Sequence, residues 1–104
     1  MATPGHTKVC QLADLWVGEM RAVEVAGRQV VLINVGGDVS AFPDRCLHKG
    51  VALSAGRLQG CVLTCWAHEW QYDARTGAGI NPQGVALTRY PLEIRDGEIW
   101  IDVG

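Results

Sequence analysis

No stretch of this 104-residue chain is apolar for long enough to cross a bilayer. The longest run, Val30 to Val35, is broken by Asn34. The N-terminal Met1-Ala2-Thr3-Pro4-Gly5-His6 lacks the basic segment and apolar run of a secretory signal. A cytoplasmic location is therefore expected, where thiols normally stay reduced. Charge of one sign is not concentrated anywhere: nine Lys and Arg are intermixed with eleven Asp and Glu, for a formal net charge of −2. Without a basic stripe, nucleic acid is not an expected partner. No sustained helical period, internal repeat, low-complexity tract or linker is visible, so one domain over residues 1–104 is expected.

What the chain does have is glycine, thirteen of them, spread between short apolar runs. Thr7 to Cys10, Met20 to Val25 and Arg28 to Val35 read as strands, the last rich in β-branched residues and the clearest buried one. Gly36-Gly37-Asp38 marks a hairpin turn into Val39 to Phe42. A loop is expected around residues 43–60, then strands at Cys61 to Thr64 and Trp70 to Asp73 and a turn at Arg75 to Gly79. Tyr90, Leu92 and Ile94 alternate, Asp96-Gly97 is a two-residue hairpin signal, and Ile99, Ile101 and Val103 alternate again. Leu12 to Trp16 has room for a single helical turn. Many short strands at close spacing predict an all-β antiparallel sandwich or barrel.

Four cysteines and three histidines complete the inventory. In a reducing compartment, metal binding outranks disulfides for the cysteines. Cys46-Leu47-His48 is followed, after sixteen residues, by Cys65-Trp66-Ala67-His68. Each half offers one thiolate and one imidazole, and neither can close a site alone. Two such loops placed tip to tip supply two sulfur and two nitrogen ligands. That is the donor set of a [2Fe–2S] centre in which two Cys hold one iron and two His the other. Two ferric ions, two sulfides and two thiolates sum to zero charge, so the oxidised centre can sit at a protein edge without a large solvation penalty. Structural zinc is the competing reading, but zinc fingers usually pair Cys with Cys and His with His. The remaining histidine, His6, reads as a surface residue, and Cys10 and Cys61 as small buried hydrophobes.

Residues 46–53 (CLHKGVAL) and 65–77 (CWAHEWQYDARTG) resemble the two cluster loops of Rieske proteins, C-x-H-x-G-x-x-L and C-x-x-H-x-W/x-x-x-D-x-x-T-G. Gly79-Ile80-Asn81-Pro82 is similar to the proline-containing third loop of that family. The resemblance implies a Rieske-type all-β fold with a small cluster-binding subdomain over about 43–82, and one [2Fe–2S] cluster on Cys46, His48, Cys65 and His68. Val9 to Met20, with Cys65-x-Ala67-His68-x-Trp70, resembles more narrowly the ferredoxin component of toluene monooxygenases. This implies a monomeric one-electron carrier between an NADH-dependent flavin/iron–sulfur reductase and a di-iron aromatic hydroxylase. The ferredoxin of a ring-hydroxylating dioxygenase, a small Rieske subunit of a reductase and a zinc-binding module are the alternatives.

High-potential Rieske proteins carry an extra cysteine in each loop, where this chain has Val51 and Ala67, and a serine where it has Trp70. An indole cannot give the serine's hydrogen bond to a sulfide, so a midpoint at the low end of the class, about −150 mV, is expected. Leu47 and Trp66 suggest either a small apolar docking surface or part of a wall that keeps water from the cluster, Lys49 a solvated lysine or a charge that orients an acidic partner, and Trp70 a wall; the resemblance implies that Pro82 lies in the loop covering the cluster. Catalysis within the chain is not expected. A mononuclear iron would need two further histidines, and no nucleotide-binding glycine fingerprint follows a strand.

Overall fold

The computed structural model describes residues 5–47, 50–67 and 69–103. Along the described chain run β1 (Thr7–Gln11), β2 (Met20–Val25), β3 (Arg28–Val35), β4 (Asp38–Pro43), β5 (Arg57–Gln59), β6 (Val62–Thr64), β7 (Gln71–Asp73), β8 (Gly79–Asn81), β9 (Leu92–Arg95) and β10 (Glu98–Ile101). Single 3₁₀ turns occupy Leu12–Asp14 and Leu53–Ala55. The strands form three antiparallel sheets, ordered β1-β10-β9, β2-β3-β4 and β5-β6-β7-β8. The all-β antiparallel architecture is as expected. No described helix is long and apolar enough to cross a membrane.

The unbroken apolar run of β3 explains the layering. Successive side chains of a strand point to opposite faces, and Val30, Val31, Leu32 and Ile33 are all fully buried. Val31 and Ile33, with Phe42 of β4, pack against Leu63 of β6 and Tyr72 of β7. Val30 and Leu32, with Val39 and Ala41, pack against Ile99 and Ile101 of β10. The β2-β3-β4 sheet is thus the middle layer, covered on one side by the terminal sheet and on the other by the four-stranded sheet.

Buried Asn34 locks one end of this middle layer. Its Nδ2 donates to the Leu15 carbonyl at 2.9 Å, and its Oδ1 accepts from the Gly37 N–H at 2.9 Å. Its own N–H donates to the Glu19 carbonyl, and its carbonyl accepts from Gly18. Every hydrogen-bonding group of a buried amide is therefore satisfied, as burial requires. Asp96 and Gly97 take the two left-handed positions of a tight hairpin turn, φ 51° and 75°.

Two short strands were not foreseen. β5 lies inside the expected loop around 43–60, and β8 lies where a third loop was expected. Each is three residues long with a single large apolar side chain, too short to show a period. Each exists because a neighbour in the sheet supplies its hydrogen bonds: Arg57↔Thr64 and Gln59↔Val62 for β5, Gln71↔Asn81 for β8. Cys61 falls in the turn before β6 rather than within the strand. Like Cys10 it is half-buried, and both carry free thiols.

Candidate metal centre

The first cysteine loop leaves β4 at Pro43. Its base is pinned across ten residues by Asp44, whose carboxylate accepts from the Ser54 N–H at 2.8 Å and from the Ser54 hydroxyl at 2.6 Å. Within the loop, the Cys46 N–H donates to the Val51 carbonyl at 2.8 Å, and the Gly50 N–H donates to the Cys46 carbonyl at 2.8 Å. The second loop leaves β6 and repeats this pattern. The Cys65 N–H donates to the Trp70 carbonyl at 2.8 Å, and the Glu69 N–H donates to the Cys65 carbonyl at 3.0 Å. In each loop the cysteine thus heads a closed ring in which its N–H reaches five residues on and its carbonyl is reached from four residues on.

Both rings place their cysteine inside and the next residue outside. Cys46 and Cys65 are 2% and 1% exposed and share one buried cluster with Leu53, Leu63 and Tyr72. Leu47 and Trp66, immediately after them, are 52% and 60% exposed. Trp70 is half-buried against the same core cluster. Pro82 is half-buried one residue beyond β8, at the end of the four-stranded sheet. His48, Lys49 and His68 lie outside the described residues. Among the described residues no three metal-binding side chains converge.

Folding-back of the chain after the second loop depends on Gly77. Its φ is 84°, and a Cβ there would lie 2.7 Å from the Leu87 carbonyl and 2.9 Å from Phe42 Cε1. Only glycine combines that conformation with that close approach. The turn it makes with Asp73 and Thr76 is closed by Gly77 N–H to Asp73 carbonyl at 2.7 Å and Ala78 N–H to Thr76 Oγ1 at 3.2 Å.

One polar group at the site was missed in the sequence. Tyr72 is fully buried, and its hydroxyl lies 3.6 Å from Sγ of Cys46. Burial, reinforced by the neighbouring Cys46, pushes this phenol well above the usual tyrosine range, so it stays protonated. The sequence offered only a partial signal: a tyrosine within the expected strand Trp70 to Asp73.

Two buried thiols at the heads of matching loops, beside a phenol and a hydrophobic floor, fit a cofactor that takes soft sulfur ligands. The comparisons agree. The chain is 39% identical to the ferredoxin component of the alkene monooxygenase system of Xanthobacter autotrophicus, over 92% of this chain and 80% of that protein. It is 34% identical to the ferredoxin component of biphenyl 2,3-dioxygenase of Rhodococcus jostii, over 93% and 92%. Among solved structures, the ferredoxin of Sphingomonas yanoikuyae B1 matches with a TM-score of 0.85 at 30% identity, covering 94% of this chain and 98% of that one. A chain in the complex of reduced oxygenase and oxidised ferredoxin of carbazole 1,9a-dioxygenase matches with a TM-score of 0.86 at 29% identity, covering 96% and 94%. The Rieske [2Fe–2S] domain profile matches residues 5–91. The chain is therefore an electron-transfer protein with one [2Fe–2S] cluster, not a catalyst in its own right, and it belongs to the Rieske [2Fe–2S] domain family.

Proposed function

We propose that Cys46 and Cys65 hold one iron of the cluster and His48 and His68 the other, and that this ferredoxin supplies electrons to a di-iron monooxygenase hydroxylase of the toluene type. The observation that carries the reading is the pair of matching rings, each burying a cysteine and exposing a large apolar residue beside it. When bound, the cluster supplies reversible one-electron chemistry. The chain's own residues keep water from the sulfurs with Tyr72, Leu53 and Leu63, and present Leu47 and Trp66 to a partner. Brief, reversible docking suits a small apolar patch of this kind better than a large permanent interface.

The reductant in this reading is an NADH-dependent flavin/iron–sulfur reductase, and the ferredoxin works as a cytoplasmic monomer. The alkene monooxygenase relative supports a monooxygenase partner. The biphenyl dioxygenase relative, aligned over nearly all of both chains, keeps a dioxygenase as the second reading. Reconstitution separates them. The purified ferredoxin, a matched reductase and NADH are combined with a di-iron hydroxylase or with a ring-hydroxylating oxygenase, and product per NADH is measured. Coupled turnover with the hydroxylase alone is expected; coupling with the dioxygenase alone overturns the partner assignment.

A further inference from the structure

Two adjoining cavities of about 480 and 400 Å³ open on the flank of the first loop and share Pro43, Arg45 and Gly50. One reaches Cys46 and exposed Leu47, and the other extends to Arg28 and Tyr90. Arg45 can stand between them because Gly50 has no side chain. A Cβ at Gly50 would lie 3.0 Å from Arg45 Nε and 3.3 Å from its Nη2, so the guanidinium rests on bare backbone.

This cleft is cationic. Arg28 and Arg45 are exposed, and neither has an ion pair among the described residues. Asp44 is the one carboxylate among the described lining residues, and both of its oxygens accept from Ser54. The matching place in the second loop holds Glu69, already paired with Arg57. Unpaired positive charge thus flanks the first loop only, next to the apolar surface of Leu47. A planar guanidinium binds a carboxylate through two parallel hydrogen bonds, a geometry that gives direction as well as attraction.

We propose that this cleft receives acidic side chains of the reductase, which docks on the flank of the first loop. The inference rests on the reading that a flavin/iron–sulfur reductase reduces this ferredoxin, passing it one electron at a time from NADH. The charge of the centre selects the reductase over the hydroxylase as occupant. The oxidised centre is neutral, and reduction leaves one negative charge beside the cleft, which repels carboxylates seated there. Across about 10 Å of water, one such charge pair changes binding about twofold. An acidic partner in the cleft therefore binds the oxidised ferredoxin more tightly and releases the reduced form. That is the order in which a reductase works. The hydroxylase takes up the reduced form and releases the oxidised one.

The test is anaerobic reduction of the purified holoprotein by catalytic amounts of the matched reductase with excess NADH. The initial rate of cluster bleaching is measured against ferredoxin concentration at low and physiological salt, for wild type, Arg28→Glu and Arg45→Gln. Arg28→Glu should raise KM for ferredoxin about five- to tenfold at low salt while kcat stays unchanged, and Arg45→Gln should raise it about threefold. Wild-type KM should increase with salt, and that dependence should flatten in both variants. A merely structural role would not move the salt dependence. Wild-type KM and salt dependence in both variants, at wild-type iron content, overturn the inference. So does a KM that rises only for the hydroxylase, measured with dithionite-reduced ferredoxin, because the cleft then serves the other partner. If Arg45→Gln does not retain iron, Arg28→Glu decides alone, since Arg28 begins β3 and lies outside both cysteine loops. A reductase that leaves wild-type ferredoxin oxidised at every concentration overturns the underlying reading, and the inference with it.

Discussion

Gly50 and Glu69 occupy the same place in two matching turns. Each N–H closes the ring to the carbonyl of the cysteine four residues earlier, and each backbone is left-handed, with φ 70° and 57°. At Gly50 the conformation carries no steric cost, and a Cβ would meet Arg45 Nε at 3.0 Å. At Glu69 the chain places a carboxylate where glycine would be relaxed. That carboxylate is exposed and 3.7 Å from Arg57, an ion pair of small worth in water.

Glu69→Gly should therefore stabilise the protein. Relief of left-handed strain contributes about 1 kcal/mol, and loss of the Arg57 pair takes back only a few tenths. Gly50→Ala should have the opposite sign. Thermal unfolding of the two variants against wild type checks both directions.

Gly77→Ala should be a strongly damaging single-methyl change, because it combines strain with close contact. It imposes a left-handed alanine and drives a methyl group into the Leu87 carbonyl and the Phe42 ring. A loss of about 3 kcal/mol is expected from strain and overpacking together, read from the denaturant midpoint. The second loop is built on this turn, so iron retention should fall with stability.

Glu98 links acid stability to the terminal sheet. Its carboxylate accepts a hydrogen bond from Lys8 at 2.6 Å, which holds it below the usual carboxylate range. A carboxyl group lowered by folding adds stability that is present above its unfolded value and lost as pH falls through its folded one. Lys8→Ala should lower stability slightly at neutral pH, and the gap to wild type should close in strong acid. A gap that persists at pH 2 would show that Lys8 acts by packing instead.

His68→Cys should keep an iron–sulfur cluster but change its character. A third thiolate makes the centre more negative and harder to reduce, so the midpoint falls and coupled turnover stops. Retained Rieske-type spectra with full coupling would remove His68 from the ligand set.

Much of the fold could be read from pattern alone. The run Val30 to Ile33 announced a strand buried on both faces, and Asp96-Gly97 announced its hairpin, because periodicity and turn chemistry are local properties. β5 and β8 could not be read this way. Arg57-Leu58-Gln59 and Gly79-Ile80-Asn81 have no strand preference of their own and become strands only through the partners beside them. The large side chains beside the two cysteine loops divide similarly. Exposure of Leu47 and Trp66 follows from their place beside buried cysteines, whereas the packing of Trp70 against the core depends on the ring that returns its carbonyl to Cys65.

The sequence by itself determined the kind of cofactor, because two thiolates and two imidazoles in Cys-x-His and Cys-x-x-His spacing are a chemical statement complete within two short segments. Only the tertiary structure decided what surrounds the sulfurs. Tyr72 meets Cys46 because the β6–β7 register turns its side chain inward and the middle sheet holds the first loop within its reach. Contacts between residues so far apart in sequence are set by the packing of layers, which no local pattern encodes.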